Sequence, residues 1–171
     1  TLNILKLFWH RLKLYMMREE NCGQNGEMTM STRNNHHSDL RVSDVMLPLE
    51  GTPKTAARTL LKEALELMDK HRLGIVCISD ADGVLQGIIT DGDIRRMLSN
   101  VQKPLAALMS DDVIVHAIKS PITVTASTVL QDAVTVMGEK QIWDLPVVNQ
   151  GKLQGLLHLH QAIYRILETK R

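Results

Sequence analysis

Thr90-Asp91-Gly92-Asp93 is the run in this 171-residue chain whose residue types and spacing point most directly to binding chemistry. The apolar residues before it (Ile88, Ile89) read as the end of a strand, and the residues after it read as a helix. Such a junction offers backbone N–H groups and the positive helix end to an anion such as phosphate. A carboxylate there can accept hydrogen bonds from the two hydroxyls of a ribose, and a Thr hydroxyl three residues earlier can reach the same ligand. Gly92 lets a ligand approach the backbone. Residue types alone leave a second reading equally open: Thr90 and Asp93 merely cap the helix.

His158 and His160 form the other conspicuous pair. Two residues apart, they would share a face on a strand. A metal would need a third ligand, and no Cys or carboxylate is evidently placed to supply it. The histidines are therefore expected to be structural or to contact a ligand, with no metal site. Trp143 could stack on a base or sugar, or serve as a core or dimer contact. His36-His37 reads as part of a solvated loop, because adjacent side chains do not converge on one ion. No catalytic residues are assigned. The chain has no P-loop, no His-Glu-x-x-His and no Ser-His-Asp arrangement in a supporting context.

The elements that must hold these residues are written twice. Leu61, Ala64, Met68 and Leu73 correspond to Leu130, Ala133, Met137 and Ile142, an offset of 130 − 61 = 69. Leu85-Gln86-Gly87 corresponds to Leu153-Gln154-Gly155 at 153 − 85 = 68, one residue having been lost in a turn. Matched apolar positions and matched glycines argue for a tandem repeat. Each copy begins with a short extended segment, 53–58 and 121–125. A helix follows from about Leu61 and Leu130, with Thr59 and Thr128 as N-caps. Next come a buried strand (74–79; 145–148), a turn, a second strand (84–90; 152–158) and a closing helix (93–98; 161–168). The fold class is α/β in the α+β sense: tandem β-α-β-β-α units with two small mixed sheets.

Composition excludes several functions. The chain is 44% apolar and 23% charged with net charge +1, so nothing marks it as a nucleic-acid binder. Aromatics are 3%, which leaves an aliphatic core. Cys22 and Cys77 cannot make a disulfide framework, and Cys77 lies in an apolar run, so a reduced thiol and a cytoplasmic setting are expected. Residues 2–17 carry apolar positions at helical spacing, interrupted by Lys6, His10, Arg11, Lys13 and Arg18. They are too short and too charged to span a membrane, and read as an amphipathic or docking helix. Residues 19–39 are polar and read as a linker. The chain begins at Thr1, so a fragment or processed piece is expected. The organisation is 1–40 N-terminal segment and linker, 41–100 repeat 1, and 101–171 linker helix and repeat 2.

Val42-Ser43-Asp44-Val45-Met46, Gly87-Ile88-Ile89-Thr90-Asp91-Gly92-Asp93-Ile94-Arg95-Arg96 and Leu145-Pro146-Val147-Val148 resemble a CBS-domain pair, or Bateman module, over residues 41–168. Arg41 to Met46, Leu73-Gly74 and His158-Leu159-His160 resemble more narrowly the C-terminal half of bacterial arabinose 5-phosphate isomerases, whose sugar-isomerase domain would precede residue 40. The resemblance implies that Thr90 and Asp93 hold the ribose of an adenosyl nucleotide. In repeat 2 the same positions are His158 and Gln161, with His160 at the place of Gly92, so weaker ribose binding is expected there. AMP-sensing pairs often place His-Arg before the second strand. Here those positions are Gly74-Ile75 and Trp143-Asp144, and Asp144 would repel phosphate. The ligand therefore stays open between AMP, ATP and a nucleotide-sugar.

The sequence thus predicts a non-catalytic regulatory pair without a cofactor, the sensing half of a sugar-phosphate isomerase or a free-standing relative. It would dimerise through its helices and bind Thr90, Asp91, Gly92, Asp93, Trp143, His158 and His160 to a nucleotide ligand. Two alternatives stand beside this reading: a ligand-free dimerisation module, and the regulatory half of a sugar nucleotidyltransferase.

Overall fold

The computed structural model describes residues 40–100 and 102–169, so the expected amphipathic segment at 2–17 and linker at 19–39 lie outside the described residues. The strands and helices run β1 (Leu47–Pro48), β2 (Lys54–Thr55), α1 (Leu61–His71), β3 (Ile75–Ser79), β4 (Leu85–Thr90) and α2 (Asp91–Asn100). They continue with α3 (Leu105–Met109), α4 (Leu130–Lys140), β5 (Asp144–Asn149), β6 (Lys152–His158) and α5 (Leu159–Glu168). Short 3-10 turns at Val42–Asp44 and Val113–Val115 open the two halves.

The helix, hairpin and closing helix of each repeat are realised as expected, with each closing helix starting two residues earlier, but the leading segment 121–125 contributes only a bridge from Val124 to Val147. Leu61, Ala64 and Met68 are buried on one face of α1, and Leu130, Ala133, Val134 and Met137 on one face of α4. Both helices end in a left-handed residue, Arg72 and Gln141, each at φ 55°. Their starts correct the sequence reading: the N-caps are Leu60 and Val129, not Thr59 and Thr128. Thr59 instead accepts a hydrogen bond from the Thr55 hydroxyl, and Thr128 pairs with Thr125. Distant backbone helps to close the first turns, Leu61 N–H donating to the Asp111 carbonyl and Leu130 N–H to that of Leu40, and at α1 the Glu63 carboxylate also accepts from the Leu60 N–H.

Those two bonds belong to an exchange between the halves. The sheets have the orders β2-β3-β4 and β1-β6-β5, so the strand leading into repeat 1 completes the sheet of repeat 2. Reciprocally, Ile118, leading into repeat 2, bridges Ile88 of β4. Both crossings need glycine. A Cβ on Gly155 would stand 2.2 Å from the Leu47 carbonyl oxygen, and one on Gly87 would stand 2.9 Å from that of Ile118. Hairpins join β3 to β4 and β5 to β6, with Gly83 and Gly151 both at φ +80° in the turns.

One core lies under each half. Leu61, Ala64, Met68, Val76, Ile78, Ile89 and Val113 pack in the first, and Val42, Leu130, Ala133, Met137, Leu145, Val147 and Leu157 in the second. A third layer, Ile75, Cys77, Ile88, Leu153 and Leu156, joins the two sheets. Strand alternation sets this partition. Ile75 and Cys77 face the other repeat while Val76 and Ile78 face their own helices. Among the described residues no helix is long and apolar enough to cross a membrane.

Candidate functional site

The strand-to-helix junctions after β4 and β6 occupy equivalent places. Asp91 N–H donates to the Gly74 carbonyl, and Leu159 N–H donates to the Trp143 carbonyl. In sheet register Thr90 faces Ile75, and His158 faces Asp144. The side chains on these matching frames do different things.

In repeat 1 the junction is a reciprocal cap. Oδ2 of Asp93 accepts from the Thr90 N–H (2.9 Å) and from the Thr90 hydroxyl (2.6 Å), while the Asp93 N–H points back to the Thr90 hydroxyl at 3.3 Å. Oδ1 accepts from the Arg96 guanidinium. The capping alternative is thus realised, and it brings Thr90, Gly92 and Asp93 into one cluster. A Cβ on Gly92 would lie 3.3 Å from the Arg96 guanidinium and 3.5 Å from the Thr90 hydroxyl, so glycine leaves the space above the pair open. A carboxylate carries about four acceptor positions. Two on Oδ2 and one on Oδ1 are used, which leaves one on Oδ1. The Asp93 side chain is 12% exposed, whereas Arg96 is 60% exposed and can swing aside. Asp91 turns elsewhere, with Oδ2 only 2.5 Å from where a Cβ of Gly74 would stand. It borders an open depression of about 340 Å³ also lined by Leu65, Met68, Asp69, Arg72, Leu73 and Gly74.

Repeat 2 has no side-chain cap at the start of α5. Nδ1 of His158 instead lies 2.7 Å from Oδ1 of Asp144 across the strands. His160 meets the His158 ring edge-on at 5.1 Å between centroids, and Trp143, 40% exposed, meets His160 in the same manner at 5.3 Å. Three sequence expectations change here. His158 and His160 come together across a strand-to-helix junction rather than on one strand face. Asp144 does not stand free to repel phosphate, because His158 occupies its carboxylate. A carboxylate is indeed placed beside His158, but among the described residues no group of three His, Cys, Asp or Glu could hold a metal ion. The Asp144–His158 contact and the role of Arg96 were missed. The signal for the first was the repeat offset, which sets 144 and 158 where 75 and 90 pair.

Cys77 is fully buried and free, as expected. Burial, and next the negative charge of Asp144, push its thiol up to about 12, so it is inert at neutral pH.

Duplicated units with exchanged leading strands define a two-repeat class of module. The sequence matches the CBS domain over residues 42–100 and 106–168, and the chain belongs to the CBS-domain family. It is 33% identical over 125 residues to the arabinose 5-phosphate isomerase KdsD of Pseudomonas aeruginosa, and 28% identical over 124 residues to KdsD of Escherichia coli K12. Each match covers 72% of this chain but 37% of the relative, so the chain spans little over a third of the curated relatives' length. Among solved structures, CBSX2 in complex with AMP is similar with TM-score 0.67 and 29% identity, over 77% of this chain and 98% of that one. CBSX2 of Arabidopsis thaliana has TM-score 0.67 and 28% identity, over 77% and 96%.

Proposed function

We propose that this chain is a regulatory module that binds an adenosyl nucleotide or a nucleotide-sugar between its repeats, as the sensing half of an arabinose 5-phosphate isomerase or a free-standing relative. The observation that carries the reading is the Thr90–Asp93 cluster, with its unused acceptor position on Oδ1 and an exposed Arg96 able to move. Vicinal hydroxyls of a ribose match that acceptor, and the solved relative CBSX2 holds AMP. The matches to isomerases over this region support the sugar-phosphate setting. On this reading the chain itself catalyses no isomerisation, works in the cytoplasm and forms a dimer. Leu98 on α2 with Tyr164 and Leu167 on α5, all exposed, offer the apolar helix faces for the dimer.

Calorimetric titration of AMP, ATP and a cytidylyl sugar tests the reading. Removing a charged acceptor costs about 1.5–3 kcal/mol, roughly ten- to a hundredfold in affinity. Asp93→Ala should lose that much and Gln161→Ala little. Equal losses would refute the site, and no binding by the wild-type chain would favour a purely dimerising module. Arabinose 5-phosphate turnover by the purified chain would refute the non-catalytic assignment.

A further inference from the structure

We propose that the repeat-2 junction binds an oxyanion, phosphate or carboxylate, on Nε2 of His158, with Asp144 as the residue that positions that imidazole. The proposal deepens the reading of the inter-repeat space as a ligand site and rests on it.

The Asp144–His158 pair stands where packing alone does not call for it. The equivalent positions in repeat 1 are Ile75 and Thr90, and Ile75 belongs to the apolar layer joining the sheets. Asp144 is 10% exposed and His158 19% exposed, so a carboxylate has been brought to the edge of an aliphatic layer and given a single imidazole partner. Taking an ionised carboxylate out of water is costly unless it is paired, and the pair does no capping for α5. What the arrangement does achieve is orientation. An ionised carboxylate has no hydrogen to donate, so His158 Nδ1–H is the donor. That fixes the ring and leaves Nε2, which has no hydrogen-bond partner among the described residues. His160 meets the ring from the side, edge to face, and Trp143 in turn meets His160.

With Nδ1–H committed to Asp144, a protonated imidazole presents Nε2–H as a charged donor, which suits an oxyanion. The neighbourhood agrees. The first turn of α2 carries Asp91 and Asp93, whereas the first turn of α5 carries no acid. Repeat 1 therefore offers acceptors, suited to hydroxyls, and repeat 2 offers donors, suited to a negative group. The titratable groups around the imidazole are Asp144 on β5, His160 at the start of α5 and, through Asp144, the buried Cys77 thiol on β3.

The test is long-range proton–nitrogen NMR of the histidine rings in the full chain. The probes are dimethyl phosphate and acetate, whose charges do not change between about pH 6 and 8, with adenosine and AMP beside them. Free His158 should show the Nδ1–H tautomer. Dimethyl phosphate, acetate and AMP should turn its Nε2 into a donor, and adenosine should not. Asp144→Asn should remove the tautomer preference and weaken dimethyl phosphate and acetate roughly tenfold. A His158 ring that no oxyanion moves, or one that adenosine moves equally, overturns the proposal. AMP binding that Asp93→Ala abolishes while His158 stays silent would leave the nucleotide reading standing and sink this one. A response to oxyanions without any nucleotide binding would do the reverse.

Discussion

The starts of α2 and α5 are the same place in two copies of one unit, yet each solves the problem of a helix start differently. At α2 the side chains turn inward: Thr90 and Asp93 each accept from the other's N–H group. At α5 the side chain at the cap position turns away, across the sheet to Asp144, and the helix begins without a side-chain cap. A matching exchange sits one strand away. Repeat 1 has Gly74 under the Asp91 carboxylate, whereas repeat 2 has Trp143 beside a buried Leu159. Backbone topology is shared between the copies, and site chemistry is not. Duplicated frames thus allow one junction to hold a capping carboxylate while the other carries imidazoles.

The largest expected effects fall on what the copies share. Gly155→Ala would drive a Cβ into the Leu47 carbonyl, which cannot rotate away, and should cost about 3 kcal/mol or more by separating β1 from β6. Gly87→Ala meets the Ile118 carbonyl at a longer distance, where the bridge is a single pair, and should cost about 1–2 kcal/mol. Denaturant unfolding of both variants checks the order, and equal losses would show that the crossings contribute alike. Next come the two junctions. His158→Ala leaves a mostly buried Asp144 without its partner and should cost about 1–3 kcal/mol. Thr90→Ala removes one half of a cap and should cost about 1 kcal/mol. A greater loss for Thr90→Ala would contradict the view that the repeat-2 pair is the more deeply committed one.

Much of this was legible in the sequence because the repeat offset converts one set of apolar positions into two. Leu61 with Leu130 and Met68 with Met137 gave both helix faces, and β6 falls on 152–158 as the repeat implied. Thr90, Gly92 and Asp93 do converge. What stayed hidden depends on contacts between distant segments. Thr59 and Thr128 look like caps locally, but the carbonyls of Asp111 and Leu40 take that role from some fifty to ninety residues away. Asp144 looked like a lone negative charge because a cross-strand partner is visible only once register is known. The leading strands exchange between repeats, which a linear reading of 41–100 and 101–171 does not reveal.

The smallest effect concerns the segment that joins the copies. Asp111 sits between Lys103 and the His116 ring, with Oδ2 2.9 Å from Nε2 of His116, and its backbone carbonyl receives the Leu61 N–H that starts α1. The equivalent carbonyl in repeat 2, that of Leu40, comes from a residue with no charge to lose. Hydrogen bonds first from Lys103 and then from His116 hold the Asp111 carboxyl below its ordinary value of 3.8. A carboxyl held low in the folded chain contributes stability that is complete above the unfolded value. That contribution is lost as pH falls through the folded one. The wild-type chain should therefore lose stability below about pH 4 more steeply than Asp111→Asn, which has no carboxyl to protonate. At neutral pH the two should differ little, since the carboxylate is partly open to solvent and its pairing is screened. Urea unfolding at a series of pH values measures both slopes. Parallel curves through the acid range would mean that this joint does not sense acid, and that the acid response lies in groups common to the two repeats.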